Sequence, residues 1–359
     1  MANKRFFCRR EGASASSFLA ESLQPAVWLG LIALTVLTLL LCVCVGSVNI
    51  PLSDTAEVIW KAVTRQELPE IAARSIILSV RLPRVLCVAM TGAALALCGA
   101  AMQGLLKNPL ADGSTLGVSS GASLGAVLAI AFEIRLPGFP FAGTMVMAMA
   151  FAFASLVVIM SLAYRLDGSL STNTIILIGV IFSMFVSSIL SLVITFAADK
   201  VQHITFWTMG SLAGSSYQNA LLLLGALLIC GAVIVGQSRE LNAFAVGEDN
   251  ARHIGVNVRR VKLTVLIAVS ALIGVCVSIG GTIGFVGLVA PHMVRMLTGP
   301  NHKRLLPACI FGGAIFLMGS DLVARILLKP LELPIGVVTS LIGSVRFVVL
   351  FYRSRRKCV

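Results

Sequence analysis

Residues that could carry out chemistry are few and scattered in this chain. The histidines do not form a catalytic or zinc-binding cluster with cysteines and carboxylates, and no CxxC motif has a matching partner. Seven of the nine cysteines lie within apolar segments, where they are predicted to be small buried side chains. No GxxxxGK[ST] phosphate-binding loop is present, so the energy for any work would come from a gradient or a partner. We therefore predict a protein that is not an enzyme and holds no metal or cofactor.

Acidic residues within apolar segments would indicate proton or sodium coupling. Asp321 is the only carboxylate well inside such a segment, and Arg325 follows it by one helical turn. We interpret the two as a structural ion pair near the outer surface. One paired carboxylate gives little support to a gradient-driven secondary transporter, and the missing catalytic cluster counts against a membrane-embedded enzyme. Both classes are kept as alternatives.

The composition identifies lipid as the solvent of this chain. Hydrophobic residues make up 58% of it and charged residues only 12%, whereas a soluble domain is about one-quarter charged. The net charge of +13 falls in short clusters between apolar segments. Basic residues placed in this way set membrane topology, so we do not expect nucleic-acid binding.

The apolar segments predict an all-α polytopic membrane protein. A membrane-spanning helix needs about 20 apolar residues. The first apolar segment is longer than the usual core of a cleaved signal peptide, so we predict a retained helix. One ten-helix domain, 27–352, is expected between a tail at 1–26 and a tail at 353–359. The predicted spans are 27–48, 82–106, 114–132, 143–163, 173–197, 220–236, 263–283, 285–298, 305–327 and 335–352.

An even number of spans places both termini on the same side of the membrane. Placing the N-terminus in the cytoplasm puts about two-thirds of the 28 lysines and arginines inside, as the positive-inside rule requires. Arg259 and Arg356 are then cytoplasmic, and Lys200 faces outward. Two polar connections are long, 49–81 outside and 237–262 inside. The inner one mixes charged and apolar residues around two glycines, which predicts two short helices joined by a turn at the cytoplasmic surface.

Six blocks of sequence resemble, in order, those of the FecCD-type permeases of binding-protein-dependent ABC importers. The similarity extends over about 27–345. The block at 246–260 is similar to the family's ATPase-coupling loop, and the block at 206–214 to its helix on the outer face. The blocks are RLPRVLCVAMTGAALALCGAAMQGLLKNPLADGSTLGVSSGASLGA (81–126), FWTMGSLAG (206–214), VGEDNARHIGVNVRR (246–260), GTIGFVGLVAPHMVR (281–295), HKRLLPACIFGGAIFLMGSDLVAR (302–325) and ELPIGVVTSLIG (332–343).

The resemblance implies a cobalamin-importer-type permease fold in a bacterial inner membrane. It also implies a dimer with a second copy or a paralogue, cytoplasmic subunits that bind and hydrolyse ATP, and an external substrate-binding protein. Cargo in such systems includes ferric siderophores, haem and cobalamin. We take an iron chelate, a ferric siderophore, as the first hypothesis, with haem or cobalamin as alternatives.

The resemblance also assigns roles on the cytoplasmic side. Ser171 and Thr172 match the small hydroxyl residues that narrow the cytoplasmic end of the pathway. A helix N-cap is the alternative, because Ser and Thr are favoured caps before an apolar segment. The predicted ATPase-coupling residues are Gly247, Glu248, Ala251, Arg252 and Gly255.

On the outer side, Arg81, Arg84 and Arg325 match arginines that grip acidic residues of the binding protein. The alternatives are anchoring to lipid headgroups for the first two and the pair with Asp321 for Arg325. One departure from the family pattern is GSVRF near the end of the chain, where relatives commonly have GAPFF. It introduces Arg346, which we interpret as reaching towards the inner headgroups, with a role in the pathway as the alternative.

Overall fold

The computed structural model of the protein describes residues 24–64, 66, 72–134, 142–168 and 171–356. Within these ranges ten helices follow the ten predicted spans in order, which confirms the all-α polytopic class. The predicted tail 1–26 lies almost entirely outside the described residues. The ten helices are α1 (Gln24–Cys44), α2 (Leu82–Leu105), α3 (Val118–Ala131), α4 (Ala142–Leu166), α5 (Thr172–Phe196), α6 (Tyr217–Gly236), α7 (Val258–Gly280), α8 (Val286–Thr298), α9 (His302–Ile326) and α10 (Ile335–Arg356).

Seven of the described helices are long and apolar enough to cross a membrane, namely α1, α2, α4, α5, α6, α7 and α9. By contrast, α3 has 14 residues and α8 has 13. At a rise of about 1.5 Å per residue both are shorter than the ~30 Å hydrocarbon layer. The start of α8 at Gly287 lies against Leu95 and Gly99, near the middle of α2. This helix therefore begins inside the bundle, and the predicted span at 285–298 does not cross the whole layer.

Helix α2 forms the centre of the bundle and packs closely against α8 and α9. A Cβ atom on Gly99 would lie 2.0 Å from the carbonyl oxygen of Gly287, so only glycine allows this approach of the two backbones. In α3, a Cβ atom on Gly121 would meet Ser155 of α4. These contacts confirm that the small residues at 92–104 and the glycines of α3 serve helix packing within the chain.

Several shorter helices lie in the described connections between the ten. Leu52–Val63 lies in the connection between α1 and α2, and Val201–Thr208 lies between α5 and α6. Ser238–Val246 and Glu248–His253 lie between α6 and α7. The last two confirm the prediction of two short helices joined by a turn in 237–262. We call the region from Ser238 to His253 the coupling segment, after the role that the sequence predicts for it.

Candidate functional site

The coupling segment owes its shape to two glycines. Gly247 separates its helices with φ +135° and ψ 147°, and Gly255 has φ +87° in the turn that follows. L-residues with a Cβ rarely adopt such positive φ values. A Cβ atom on Gly255 would meet nothing within 4 Å, so this glycine is required by backbone conformation and not by crowding. Ala251, within the second helix, is fully buried.

The first helix of the coupling segment is fixed to the start of α9 through Asn242. The Asn242 amide nitrogen donates to Asn301 Oδ1 at 2.9 Å, and its oxygen accepts from the His302 backbone N–H at 2.9 Å. Asn301 is also the N-cap of α9, accepting from the Lys303 backbone N–H. These contacts were not predicted, because an asparagine in a polar connection gives no sequence signal of its partner.

Glu248 joins the second helix of the coupling segment to two other parts of the bundle. Its Oε1 accepts a hydrogen bond from the Thr172 hydroxyl at 3.2 Å and lies 2.8 Å from Lys262 Nζ. Its Oε2 accepts from Lys262 Nζ at 2.9 Å. The structure thus brings together Glu248, predicted for coupling, and Thr172, predicted for the gate. Lys262 was missed, because a lysine at the start of an apolar helix resembles an ordinary topology-setting charge.

The turn between α4 and α5 is held by its own hydrogen bonds. Ser171 is the N-cap of α5, and its hydroxyl accepts from the Thr174 backbone N–H at 3.3 Å. Asp167 Oδ2 accepts from the Ser171 backbone N–H at 3.0 Å and from the Thr174 hydroxyl at 3.2 Å. The N-cap interpretation of Ser171 is therefore confirmed. Both interpretations can hold together, and the gate stays a prediction.

Arg252 faces outward from the coupling segment. Its side chain is 52% exposed and lies 3.7 Å from Asp249 Oδ1, whose side chain is 88% exposed. This pair contributes little to stability because solvent screens it. The two residues therefore form a charged surface on the helix that begins at Glu248, open to a partner.

Arg81 and Arg325 hold the C-terminal end of α1. The Arg81 guanidinium donates to the carbonyl oxygens of Val43, Cys44 and Val48. Arg325 Nη1 donates to the carbonyl oxygens of residues 42 and 45 at 3.1 and 3.2 Å. The last carbonyls of a helix have no partner within the helix, and cations are favourable there.

Arg84 connects α2 to α9 and to the loop before α10. Its Nη2 lies 2.9 Å from Asp321 Oδ1, and its Nη1 donates to Glu332 Oε2 at 2.6 Å. Arg325 Nε lies 2.9 Å from Asp321 Oδ2, at an angle unsuited to a hydrogen bond, so that attraction is electrostatic. The predicted pair of Asp321 and Arg325 is confirmed. Burial alone would raise the pKa of Glu332, but the hydrogen bond and charge of Arg84 outweigh burial and lower that pKa.

The three arginines predicted for docking are buried in the single chain. Arg81, Arg84 and Arg325 are only 4%, 6% and 2% exposed in the single chain. Their guanidinium groups are engaged by α1, by Asp321 and by Glu332. In this structure Arg81 and Arg84 therefore pair with groups of the protein where the alternative interpretation placed lipid headgroups. A docking role for these residues stays a prediction, and it would require their present contacts to rearrange.

Two cavities open among the described helices. One, of about 870 Å³, lies next to the helix Val201–Thr208 and is lined by His203, Trp207, Asn219 and Glu332 among others. The other, of about 290 Å³, has a hydroxyl-rich lining that includes serines of α3 and α5. Arg346 lies away from both cavities, exposed on α10 between exposed apolar residues.

Comparison with known proteins agrees with this architecture. Residues 34–353 match the family model described as the FecCD transport family. The ABC transporter permease YvrB of Bacillus subtilis is 40% identical over 87% of this chain and 89% of its own length. The hemin transport system permease HmuU of Yersinia pestis is 37% identical over 93% of this chain and 98% of its own.

A solved structure of a metal-chelate type ABC transporter, in an inward-facing conformation, superposes with a TM-score of 0.80. It is 33% identical and covers 92% of this chain and 99% of that chain. The family match extends from the middle of α1 into the last turn of α10 and includes the coupling segment. The chain is a multi-pass membrane protein that belongs to the FecCD transport family.

Proposed function

We propose that this chain is the permease subunit of a binding-protein-dependent ABC importer, driven by ATP that a separate subunit hydrolyses. The observation that carries the proposal is the coupling segment. Its two short helices are fixed to α9 through Asn242 and to α5 and α7 through Glu248, yet Asp249 and Arg252 are exposed. A segment that is held by the bundle on one side and exposes charges on the other is suited to bind a cytoplasmic partner and to pass its motion to the bundle.

The implied assembly contains a second permease copy or a paralogue, two ATP-binding subunits and an external substrate-binding protein. Exposed large apolar residues occur on α5 and α10, among them Phe185 and Val345. Membrane lipid and the second permease would share these surfaces. The larger cavity, lined by polar and aromatic side chains, suits the outer mouth of the pathway.

We propose a metal chelate as the cargo, with a ferric siderophore as the first candidate and haem or cobalamin as alternatives. One relative is named for haemin transport, and the superposed structure is of metal-chelate type. Cargo identity is tested by purifying the partner binding protein from iron-limited cells and identifying its ligand by mass spectrometry. We expect an iron chelate. A ligand without a metal would contradict this assignment.

We further propose that the protein lies in a bacterial inner membrane with both termini in the cytoplasm. Lys200 then faces outward and Arg259 faces inward. In a variant without native cysteines, we expect an impermeant maleimide added to intact cells to label Lys200→Cys and to leave Arg259→Cys unmodified. Membrane permeabilisation should make Arg259→Cys reactive, which controls for burial. Labelling of Arg259→Cys from outside would overturn the orientation.

A further inference from the structure

Lys262 is a fully buried lysine in the first turns of α7, with a side-chain exposure of 0%. An ammonium group loses several kcal/mol of hydration energy when it is buried, so it needs a close counter-charge. Glu248 provides one, with both carboxylate oxygens within 2.9 Å of Lys262 Nζ. The start of the helix Glu248–His253 is therefore held against α7 by a charge-assisted hydrogen bond.

The same carboxylate reaches the turn before α5. Thr172 is the first residue of α5, and its hydroxyl donates to Glu248 Oε1 at 3.2 Å. Because Asp167 ties Ser171 and Thr174 together, a displacement of Thr172 would carry these three described residues of the turn with it. A second contact lies nearby, where the guanidinium carbon of Arg259 is 4.8 Å from the centre of the Tyr164 ring.

We propose that Lys262, Glu248 and Thr172 form a relay that makes the α4–α5 turn move with the coupling segment. Lys262 acts as a positioning residue, because it fixes the Glu248 carboxylate at the place where Thr172 can donate to it. The proposal rests on the proposed function, since a partner subunit must supply the motion. It deepens that function by naming the atoms through which the coupling segment reaches the α4–α5 turn.

The mechanical link is tested first in the full chain alone. Nitroxide labels on Asn173→Cys and His253→Cys, both exposed positions, report the distance between the turn and the coupling segment. We expect Thr172→Val to broaden the distance distribution, since valine keeps the shape and removes the donor. Thr172→Ser should keep the narrow distribution, and Lys262→Gln should broaden it because Glu248 loses its charged anchor.

Asp249→Asn is the matched control, since it changes the neighbouring carboxylate, which is 88% exposed and lies beside Arg252. It should leave the distribution unchanged. A distribution in Thr172→Val as narrow as in the parent protein would overturn the relay. This first measurement needs no partner and no cargo, so its result does not depend on the proposed function.

The second measurement uses the complex with its ATP-binding subunits, labelled only at Asn173→Cys in both permease copies. We expect the distance between the two labels to change between the nucleotide-free and the ATP–vanadate-trapped states. Thr172→Val should lose most of this change while the complex still hydrolyses ATP, and Thr172→Ser should retain it. If Thr172→Val shows the full change, the relay is wrong. If the parent complex shows no change although the first measurement detects the link, the proposed function fails instead.

Discussion

Replacement of Asp321 by alanine is expected to remove a large share of the stability of the folded protein. Arg84 and Arg325 both pair with this carboxylate and are 6% and 2% exposed, so the substitution leaves two buried cations without their shared counter-charge. Removing one partner of a buried ion pair costs about 3–5 kcal/mol, a large share of the total stability of a typical protein. The measurement is the thermal midpoint of unfolding in detergent, together with the yield of monodisperse protein.

A matched control is Asp199→Ala, which removes a carboxylate that is 73% exposed and lies 3.4 Å from Lys200 Nζ. We expect no measurable change in the midpoint for this variant. Combining Asp321→Ala with Arg325→Met should recover part of the loss, since the buried Arg325 charge that has lost its paired carboxylate is then removed. An Asp321→Ala variant as stable as the parent protein would show that the network does not hold α1, α2 and α9 together.

The same network changes how the docking prediction is tested. A double variant Arg81→Glu and Arg84→Glu would lose uptake through misfolding alone, because both guanidinium groups have partners inside the chain. A docking role therefore requires a folded variant with altered salt dependence of uptake. Glu332→Gln is such a variant. The Glu332 side chain is 30% exposed, and the substitution removes only one of the two ion pairs of Arg84, so we expect the protein to fold.

Substitution of Gly255 by valine is expected to uncouple ATP hydrolysis from uptake. A β-branched residue at φ +87° is strained by roughly 1–2 kcal/mol, and the turn would relieve the strain by moving the helix that ends at His253. We expect uptake in reconstituted vesicles to fall at least about tenfold, equivalent to ~1.4 kcal/mol, with an unchanged amount of protein in the membrane. Arg252→Glu should act similarly by reversing the exposed charge of the coupling segment.

Gly225→Val is the control for this substitution. Gly225 lies within the regular helix α6, so valine there is not forced into a left-handed backbone conformation. A Cβ atom at this position would also meet nothing within 4 Å. Uptake by this variant should stay near the parent level. If the Gly255→Val and Arg252→Glu complexes take up cargo normally and with normal stimulation of ATP hydrolysis, the segment is a solvated loop and not a coupling surface.

The membrane architecture was predictable from the sequence because hydropathy and glycine spacing act locally. The segment 173–197, for example, became α5 from Thr172 to Phe196, with Ser171 as its cap. The two helices of the coupling segment followed from its mixed polarity and its glycines. Each of these signals lies within the residues that form the element.

The contacts of the buried charges could not be predicted in the same way. The positive-inside rule reports which side of the membrane a charge occupies and says nothing about which helix lies beside it. Arg84 meets Asp321 at a sequence separation of 237 residues, and Arg81 meets Val43 at a separation of 38. Lys262 and Glu248 are only 14 residues apart, but the turn at Gly255 that brings them together gives no sign of the pairing.

We propose that ATP hydrolysis by a partner, and not an ion gradient, drives this permease. The most direct test reconstitutes the permease and its ATP-binding subunits in proteoliposomes, with these subunits and ATP in the vesicle lumen. The binding protein, loaded with a radiolabelled iron chelate, is added outside. We expect uptake to continue when an ionophore collapses the proton and sodium gradients and to stop when vanadate traps the ATP-binding subunits. Uptake that survives vanadate and stops with the ionophore would contradict the account and identify a secondary transporter.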